Sequence, residues 1–335
     1  MHLQLIVPHW KERPDEMTPL LDSIALQQGI DFEKDVGVII VYDGSEATPL
    51  PAEEWDEKYP YMIEHLCVPH GGVSAARNHG LKYVTADYIM FCDADDMFCH
   101  MCGLRIVLNE IAKGFDSMTS AFIEEGYRPG ETIPTYVIHQ KDSTFVHGKV
   151  HRRRYLLDND ILFNEDLKVH EDSYFNVLAQ SCGPDPDRIK YCPEGFYLWK
   201  WRDNSICRHD PDYLLKTYPD MLKSSDALVD ELVRRGLEEK ARVFAGMMIL
   251  QTYYTFNKKE WTEKTHADYR RISEQHFKNY YLKHLEKWDA IPDPAKMHMS
   301  MEIRSRSVGT GMPMESITFG DWINNVLNME GEAHV

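Results

Sequence analysis

The chain has 335 residues, 43% of them hydrophobic and 11% aromatic, enough for one large core or two smaller ones; this excludes extended disorder and a small disulfide-stapled scaffold. Its 37 basic and 54 acidic side chains leave a formal charge of −17, so nonspecific binding to nucleic acid or to anionic lipid would run against long-range repulsion. A phosphorylated small molecule stays compatible with that charge if a metal cation or local arginines neutralise its phosphates.

Leu3 to Val7 is a short apolar run stopped by Pro8, and Val36 to Tyr42 is a second, rich in β-branched residues and closed by Asp43-Gly44-Ser45. Both read as buried parallel strands. Between them Leu20, Leu21, Ile24 and Ala25 recur at helical spacing ahead of Gln27-Gln28-Gly29, which completes a first βαβ unit. Ile63 to Val68 reads as a third strand broken by Pro69-His70-Gly71-Gly72. Ser74 is expected to cap a helix over Ala75 to Val84, and Tyr88 to Cys92 is the fourth strand. This alternation predicts an α/β fold built on an open sheet.

After about residue 115 the alternation loosens, with strands expected at Met118 to Ile123 and Tyr136 to His139 and helices at Lys149 to Leu157 and Tyr174 to Leu178. From Tyr213 the pattern changes again. Leu214, Tyr218, Met221, Leu222, Ser225, Leu228, Val229 and Leu232 sit three or four apart, an amphipathic stripe ending near Arg234-Arg235-Gly236 that opens a mostly helical C-terminal region. The uncharged stretch Val243 to Asn257 is shorter than the roughly 20 apolar residues of a spanning helix and reads as buried. MHLQLIVPHWKER carries no secretory pattern, and seven scattered cysteines fit reduced thiols, so the expected location is cytoplasmic, with room for a peripheral association with the membrane. Cys99, His100 and Cys102 lack the second Cys/His pair of a zinc site.

Pro8, Asp43 and Asp93 each follow directly after a predicted strand, where an open parallel sheet lines its ligand crevice. FCDADDMF is the most informative exit. Asp93 and Asp95 are two apart and face the same side in extended backbone, so together they offer hard oxygen donors for Mg²⁺ or Mn²⁺ while a diphosphate completes the shell. A bare Asp-x-Asp is otherwise a solvated acidic turn; the buried strand before it and the other polar exits favour the metal.

In this arrangement the chain resembles the family 2 glycosyltransferases of the GT-A fold. The resemblance runs in order through LIVPHW, VIIVYDGS, GGVSAARNHGL, YIMFCDADD, VHGKVHRRRYL, HEDSYF and YLWKWRDNSICR, residues 3 to about 208. Two positions depart from the family pattern: His9-Trp10 in the first motif, and Tyr42 in place of the first of two aspartates before Gly44. They bear on base and sugar preference rather than on the reaction class.

The resemblance implies a fold, a reaction and a set of roles. The fold is a Rossmann-like GT-A sheet domain over residues 1–210 with a mostly helical extension over 211–335. The reaction is a metal-dependent, inverting transfer from a nucleotide-sugar, in the first place a UDP-sugar, to a hydroxyl of a glycan, a lipid-linked glycan or another acceptor. Pro8 lines the nucleotide crevice, Asp43 accepts a hydrogen bond from uracil or merely starts an Asp-Gly turn, and Arg77 meets the diphosphate or pairs with a surface carboxylate. Asp93 lies near the ribose or diphosphate and shares the metal with Asp95, with His209 as a further ligand and Asp96 beside the ion or structural. Glu171 and Asp172 start a helix, which alone would explain two first-turn carboxylates; the family motif makes Asp172 the general base. Trp199 and Trp201 offer an apolar wall and Arg202 a phosphate clamp, while Arg152-Arg153-Arg154 are expected on a helix beside the acceptor cleft. The C-terminal helices would shape acceptor choice or a homo-oligomer. A sugar nucleotidyltransferase uses a similar carboxylate pair but needs a Gly-rich basic loop near the first strand, and PHWKERPDEM has no glycine. A nonenzymatic sugar-nucleotide-binding scaffold is opposed by the intact Asp93, Asp95 and Asp172.

Overall fold

A computed structural model describes the chain apart from residues 129, 184, 203–204, 206–207, 209, 211, 258–266, 300–316 and 330–335. The chain divides into two compact units, Met1–Ser205 and Ile206–Val335.

The first unit is a nine-stranded mixed sheet in the order β3-β2-β1-β4-β8-β6-β9-β5, with β7 attached to β6. β1 (Leu3–His9), β2 (Val36–Asp43), β3 (Met62–Val68) and β4 (Tyr88–Phe91) are its parallel half and carry the expected apolar runs. The early helices are α1 (Pro14–Ala25), α2 (Phe32–Asp35), α3 (Ala52–Lys58) and α4 (Val73–Tyr83). The core between sheet and helices is built from Leu3, Leu5, Val38, Ile40, Met90 and the buried face of α1, Met17, Leu20, Leu21 and Ile24. α4 packs unusually close to the sheet: a β-carbon at Gly80 would come within 2.6 Å of Ile6 and 3.1 Å of Val41. Glycine is therefore what lets this helix lie against β1 and β2.

The second half combines β5 (Met97–Phe98), α5 (Gly103–Lys113), β6 (Ser117–Tyr127), β7 (Pro134–His139), β8 (Lys149–Arg152), α6 (Arg153–Asp158), α7 (Glu171–Ser181) and β9 (Ile189–Trp199). Three local expectations are corrected. Lys149 to Leu157 is not one helix: Lys149 to Arg152 form β8, antiparallel to both β4 and β6, and only Arg153 starts α6. Vacant ladder positions on two neighbours outweigh helical propensity over four residues. Gly72 rather than Ser74 precedes α4; Ser74 is buried within the first turn and Arg77 falls in the second. Of the arginine run, Arg152 ends a strand 3.7 Å from Asp116, Arg153 donates to the Ala86 carbonyl, and Arg154 pairs with Asp158 on its own helix.

The second unit contains the helices Tyr213–Arg234, Glu238–Phe256, Ala267–Lys283, Leu285–Asp289 and Phe319–Leu327. Tyr218, Leu222, Ile249, Phe256, Phe277 and Trp322 are in its core. The predicted stripe is displaced by one residue at its start, where Leu215 is buried and Leu214 is 42% exposed. Among the described residues no helix is long and apolar enough to cross a membrane, and Cys67, Cys92, Cys99, Cys102 and Cys192 are free thiols.

Candidate active site

The crevice opens where the neighbours of β1 part company. β1 pairs with β2 as far as His9↔Tyr42 but with β4 only as far as Ile6↔Phe91, so Pro8 lies beyond the last β1–β4 pair and its missing N–H costs no ladder bond there. Here the strand order switches, and β1, β2 and β4 deliver His9, Asp43 and Asp93 from one edge of the sheet.

Asp43 is 4% exposed, and its carboxylate accepts from the backbone N–H groups of Gly71 at 2.8 Å and Gly72 at 3.0 Å. Gly72 has φ +86, a conformation that glycine adopts without strain, which lets consecutive amides converge on one side chain. His70 Nδ1 lies 2.9 Å from the same carboxylate, and the His70 ring stacks on Trp10 at 4.3 Å. Asp43 is thus both the first residue of the turn and an anchor for the glycine loop that starts α4.

Arg77 projects from α4 and is 3% exposed. Its Nη1 donates to Asp172 at 2.5 Å and Glu171 at 3.4 Å, and its Nη2 donates to Asp93 at 2.9 Å. The ring of Phe163 lies 5.1 Å from the guanidinium carbon. Burial alone would favour the neutral form, but these carboxylates hold the guanidinium charged. The anion expected beside Arg77 is therefore supplied by the chain itself, from the strand exit and the start of α7.

Glu171 and Asp172 are the first residues of α7, after His170 in the left-handed region at φ 62. Burial and the neighbouring Asp172 raise Glu171 to about 8. Burial also raises Asp172, while Arg77 and a backbone donor, the Val146 N–H at 3.2 Å, oppose the rise. The two adjacent carboxyls have unequal partners: Glu171 keeps a proton near neutrality, while Asp172 has the closer cation and a backbone donor that oppose its rise.

The Asp93-Ala94-Asp95-Asp96 turn divides its side chains between the crevice and the interior. Asp93 and Asp95 keep 31% and 24% of their side-chain surface. Asp95 lies 3.0 Å from Arg202 Nε, and burial together with Asp93 pushes its carboxyl up. Asp96 is 1% exposed and accepts from Tyr197 Oη at 2.9 Å and Lys200 N at 3.1 Å; burial and the two neighbouring aspartates raise it well above the ordinary range. Tyr197 in turn accepts from the Asp93 N–H at 3.0 Å. His147 is stacked among Phe145, Tyr197 and Trp199, with Nδ1 3.5 Å from Asp96 and no hydrogen-bond partner. Burial lowers its pKa to about 4, so the ring is neutral. Donor atoms of Asp93, Asp96 and His147 lie within 4.8 Å of one another, the one such cluster among the described residues.

Trp199 closes β9 and packs on Phe145 at 4.7 Å, and Trp201 meets Tyr127 edge-on at 5.8 Å. His209 lies outside the described residues. The structure thus brings Asp93, Arg77, Glu171 and Asp172 into one bonded cluster, joins Asp95 to Arg202, and leaves Asp43 bonded to its glycine loop. Sequence reasoning missed Tyr197, His147 and Lys149. Lys149 opens the segment expected to be helical, where strand alternation in Lys149-Val150-His151 is the available signal, and His147 lies two residues before it.

Residues 4–166 match the family described as Glycosyl transferase family 2. The chain is 27% identical over 225 residues to the uncharacterized glycosyltransferase EpsJ of Bacillus subtilis (strain 168), covering 61% of this chain and 62% of EpsJ. It is 27% identical over 195 residues to the poly(ribitol-phosphate) beta-N-acetylglucosaminyltransferase TarS of Staphylococcus aureus, covering 53% of this chain and 32% of TarS. Both alignments span less than two thirds of the relative. A crystal structure of TarS residues 1–349 in complex with UDP superposes with a TM-score of 0.63 at 18% identity, covering 92% of each chain. The mannosyltransferase PcManGT of Pyrobaculum calidifontis, solved with GDP-Man and Mn²⁺, gives a TM-score of 0.51 at 13% identity over 97% of this chain and 84% of its own. The GT-A sheet and the helical C-terminal region are shared architecture.

Proposed function

Because the chain belongs to the family 2 glycosyltransferases, we propose that its first unit transfers a sugar from a UDP-sugar to a hydroxyl of a glycan or polyol-phosphate acceptor, inverting the anomeric carbon and requiring Mn²⁺ or Mg²⁺. The observation that carries this reading is the buried Arg77 guanidinium holding Asp172 and Asp93 together at the crevice edge. It puts a candidate general base beside the strand exit where a diphosphate would bind. TarS, whose structures hold UDP and UDP-GlcNAc, supports the uridine donor and the polyol-phosphate acceptor class.

In this reading the acceptor hydroxyl gives its proton to Asp172 as its oxygen attacks the anomeric carbon. The bond from that carbon to the UDP oxygen breaks, its electron pair leaves with the diphosphate, and the new bond forms on the opposite face. Arg77 and the Val146 amide each occupy one Asp172 oxygen but leave lone pairs for the proton. Arg202 is assigned to the diphosphate: when phosphate oxygens replace Asp95 as its partner, Asp95 is released to a metal. Asp43 is assigned to the uracil N–H and Pro8 to the crevice wall.

The donor set fits a divalent ion. Asp93 and Asp95 are the oxygen donors open to the crevice, and a cation between them would offset the burial and the Asp93 charge that disfavour the ionised Asp95 carboxylate. We assign the ion to these two, with Asp96 and His147 supporting Asp93 from below. When bound, the ion supplies positive charge to the leaving diphosphate. The second unit is assigned to acceptor choice or self-association.

The test is a screen for slow donor hydrolysis across UDP- and GDP-sugars, with Mn²⁺, with Mg²⁺ and with chelator. UDP release from one UDP-sugar, abolished by chelator, is expected. Turnover confined to GDP-sugars would overturn the donor assignment, and chelator-resistant turnover would overturn the metal.

A further inference from the structure

Lys149 lies on β8 under the first turn of α7. It is 1% exposed, its Nζ donates to the Phe145 carbonyl, and among the described residues it makes no ion pair. A buried ammonium without a carboxylate partner is unfavourable, and apolar packing alone does not call for one. Burial lowers its pKa to about 8, so it still carries its charge at neutral pH.

The carbonyl it meets belongs to the Phe145–Val146 peptide group, and the N–H of that same group donates to Asp172 Oδ2 at 3.2 Å. Ammonium, carbonyl, amide and carboxylate form one chain in which each bond polarises the next. Asn176, one turn into α7, fixes the same peptide: its Nδ2 donates to Phe145 O at 2.9 Å and Ser143 O at 3.1 Å. The groups facing Asp172 are Arg77 from α4, Asp93 from the β4 exit and Glu171 from its own helix, with Lys149 from β8; Asp142, in the loop before β8, acts on Lys149. Arg77 is shared among three carboxylates, so its charge is divided.

We propose that Lys149 is a positioning residue for the proton transfer, acting through the Phe145–Val146 peptide group to hold the Asp172 carboxylate ionised and aimed at the acceptor. The proposal rests on the assignment of Asp172 as general base. Lys149 does not touch substrate; it sets the state of the residue that does.

The test compares Lys149→Met, Lys149→Arg and Asp172→Asn in the full chain. Lys149→Met is expected to melt at or above the wild-type temperature, because a side chain of similar length fills the space without a charge to desolvate, and to bind UDP as wild type does. UDP release from the most active UDP-sugar should show an unchanged KM, a kcat lowered at least about tenfold at pH 7, and an acid limb moved about one pH unit upward. Lys149→Arg should restore most of that limb. A turnover-free measurement accompanies it: the difference in melting temperature between chains with and without the Asp172→Asn change, followed against pH, reports the ionisation of Asp172 and should shift upward when Lys149→Met is added to both. Unchanged kcat and an unchanged acid limb in Lys149→Met, or equal loss in the Met and Arg variants, would overturn the proposal while leaving Asp172 as base. Full turnover in Asp172→Asn would remove the base assignment, and the proposal with it.

Discussion

Arg77 Nη1 lies 2.5 Å from Asp172 Oδ1 inside the protein and 3.4 Å from the neighbouring Glu171, so α4, which follows the glycine loop, and the start of α7 are joined through one guanidinium. This pairing gives Asp172 a structural duty beside its proposed chemical one. A first-turn carboxylate at a solvated helix start contributes about 0.3–1 kcal/mol; one that satisfies a buried guanidinium contributes more.

Asp172→Asn should therefore lower turnover by about 10² to 10⁴, because the amide lacks the basic lone pair, and should also reduce stability by about 1–3 kcal/mol as Arg77 loses a charged partner. UDP affinity should stay at the wild-type value. Steady-state kinetics with urea denaturation checks both effects, and retained transfer would move the base role to Glu171.

Arg77→Met removes the cation and leaves Asp93, Glu171 and Asp172 facing one another. Breaking a buried ion pair from one side costs about 3–5 kcal/mol. The urea midpoint should fall by a corresponding amount and recover on lowering the pH, which protonates the abandoned carboxylates. A variant as stable as wild type at pH 7 would show that the hub contributes nothing to the fold.

The parallel half of the sheet was legible because its strands are continuous apolar runs, Leu3 to Val7, Val36 to Tyr42 and Tyr88 to Phe91, each ending in a polar residue that the fold carries to one edge. β8 was not legible: four residues rich in Lys, His and Arg form a central strand only because β4 and β6 stand on either side with open hydrogen bonds. Individual candidates such as Asp93 and Asp172 announced themselves by motif. The bonds between them did not, since Arg77 reaches residues 16 and 95 positions away. Tyr197 meets Asp96 and Asp93 across 101 and 104 positions and Lys149 meets a backbone carbonyl, bonds that residue type and spacing do not announce.

The metal assignment separates two sets of donors. With the ion on Asp93 and Asp95, Asp95→Ala should abolish the Mn²⁺ dependence of UDP binding, while His147→Phe, which keeps the ring stacking with Phe145 and Tyr197, should retain it. Calorimetry of UDP with and without Mn²⁺ distinguishes them. The opposite result would place the ion among Asp93, Asp96 and His147.

Asp43→Asn should weaken UDP more than ribose phosphate, because only UDP offers a ring N–H to the carboxylate. The same change removes an acceptor from Gly71 or Gly72, so the melting temperature should fall slightly even without ligand. A thermal-shift series with UDP, GDP and ribose 5-phosphate reads both, and stabilisation by GDP alone would reassign the base.

The buried histidines fix how stability responds to acid. Burial holds His147 at about 4 and His151 at about 3, below the ordinary value of 6.5, and His151 is further tied to Ser117 Oγ at 3.0 Å. A depressed folded-state pKa means that the unfolded chain takes up protons first: these residues contribute fully above pH 6.5, and the contribution is lost as pH falls from there toward 3. Glu12 works in a lower window. Burial would raise it, but hydrogen bonds from His9 and the Trp10 N–H prevail and hold it at about 2 against an ordinary 4.5, so its share is lost only below that ordinary value. Between pH 6.5 and 4.5 the histidines act with little help from Glu12, and each lowers stability by about 1.4 kcal/mol per pH unit once its unfolded form is protonated. His151→Gln should remove about 1.4 kcal/mol per pH unit of acid destabilisation in that window relative to wild type and leave the fall below pH 4 in place. Glu171, raised to about 8, and Asp96, raised well above its ordinary value, act with the opposite sign over the same window, so the check is the difference between variant and wild type: profiles that run parallel from pH 6.5 to 4.5 would mean that His151 accepts its proton without unfolding the chain.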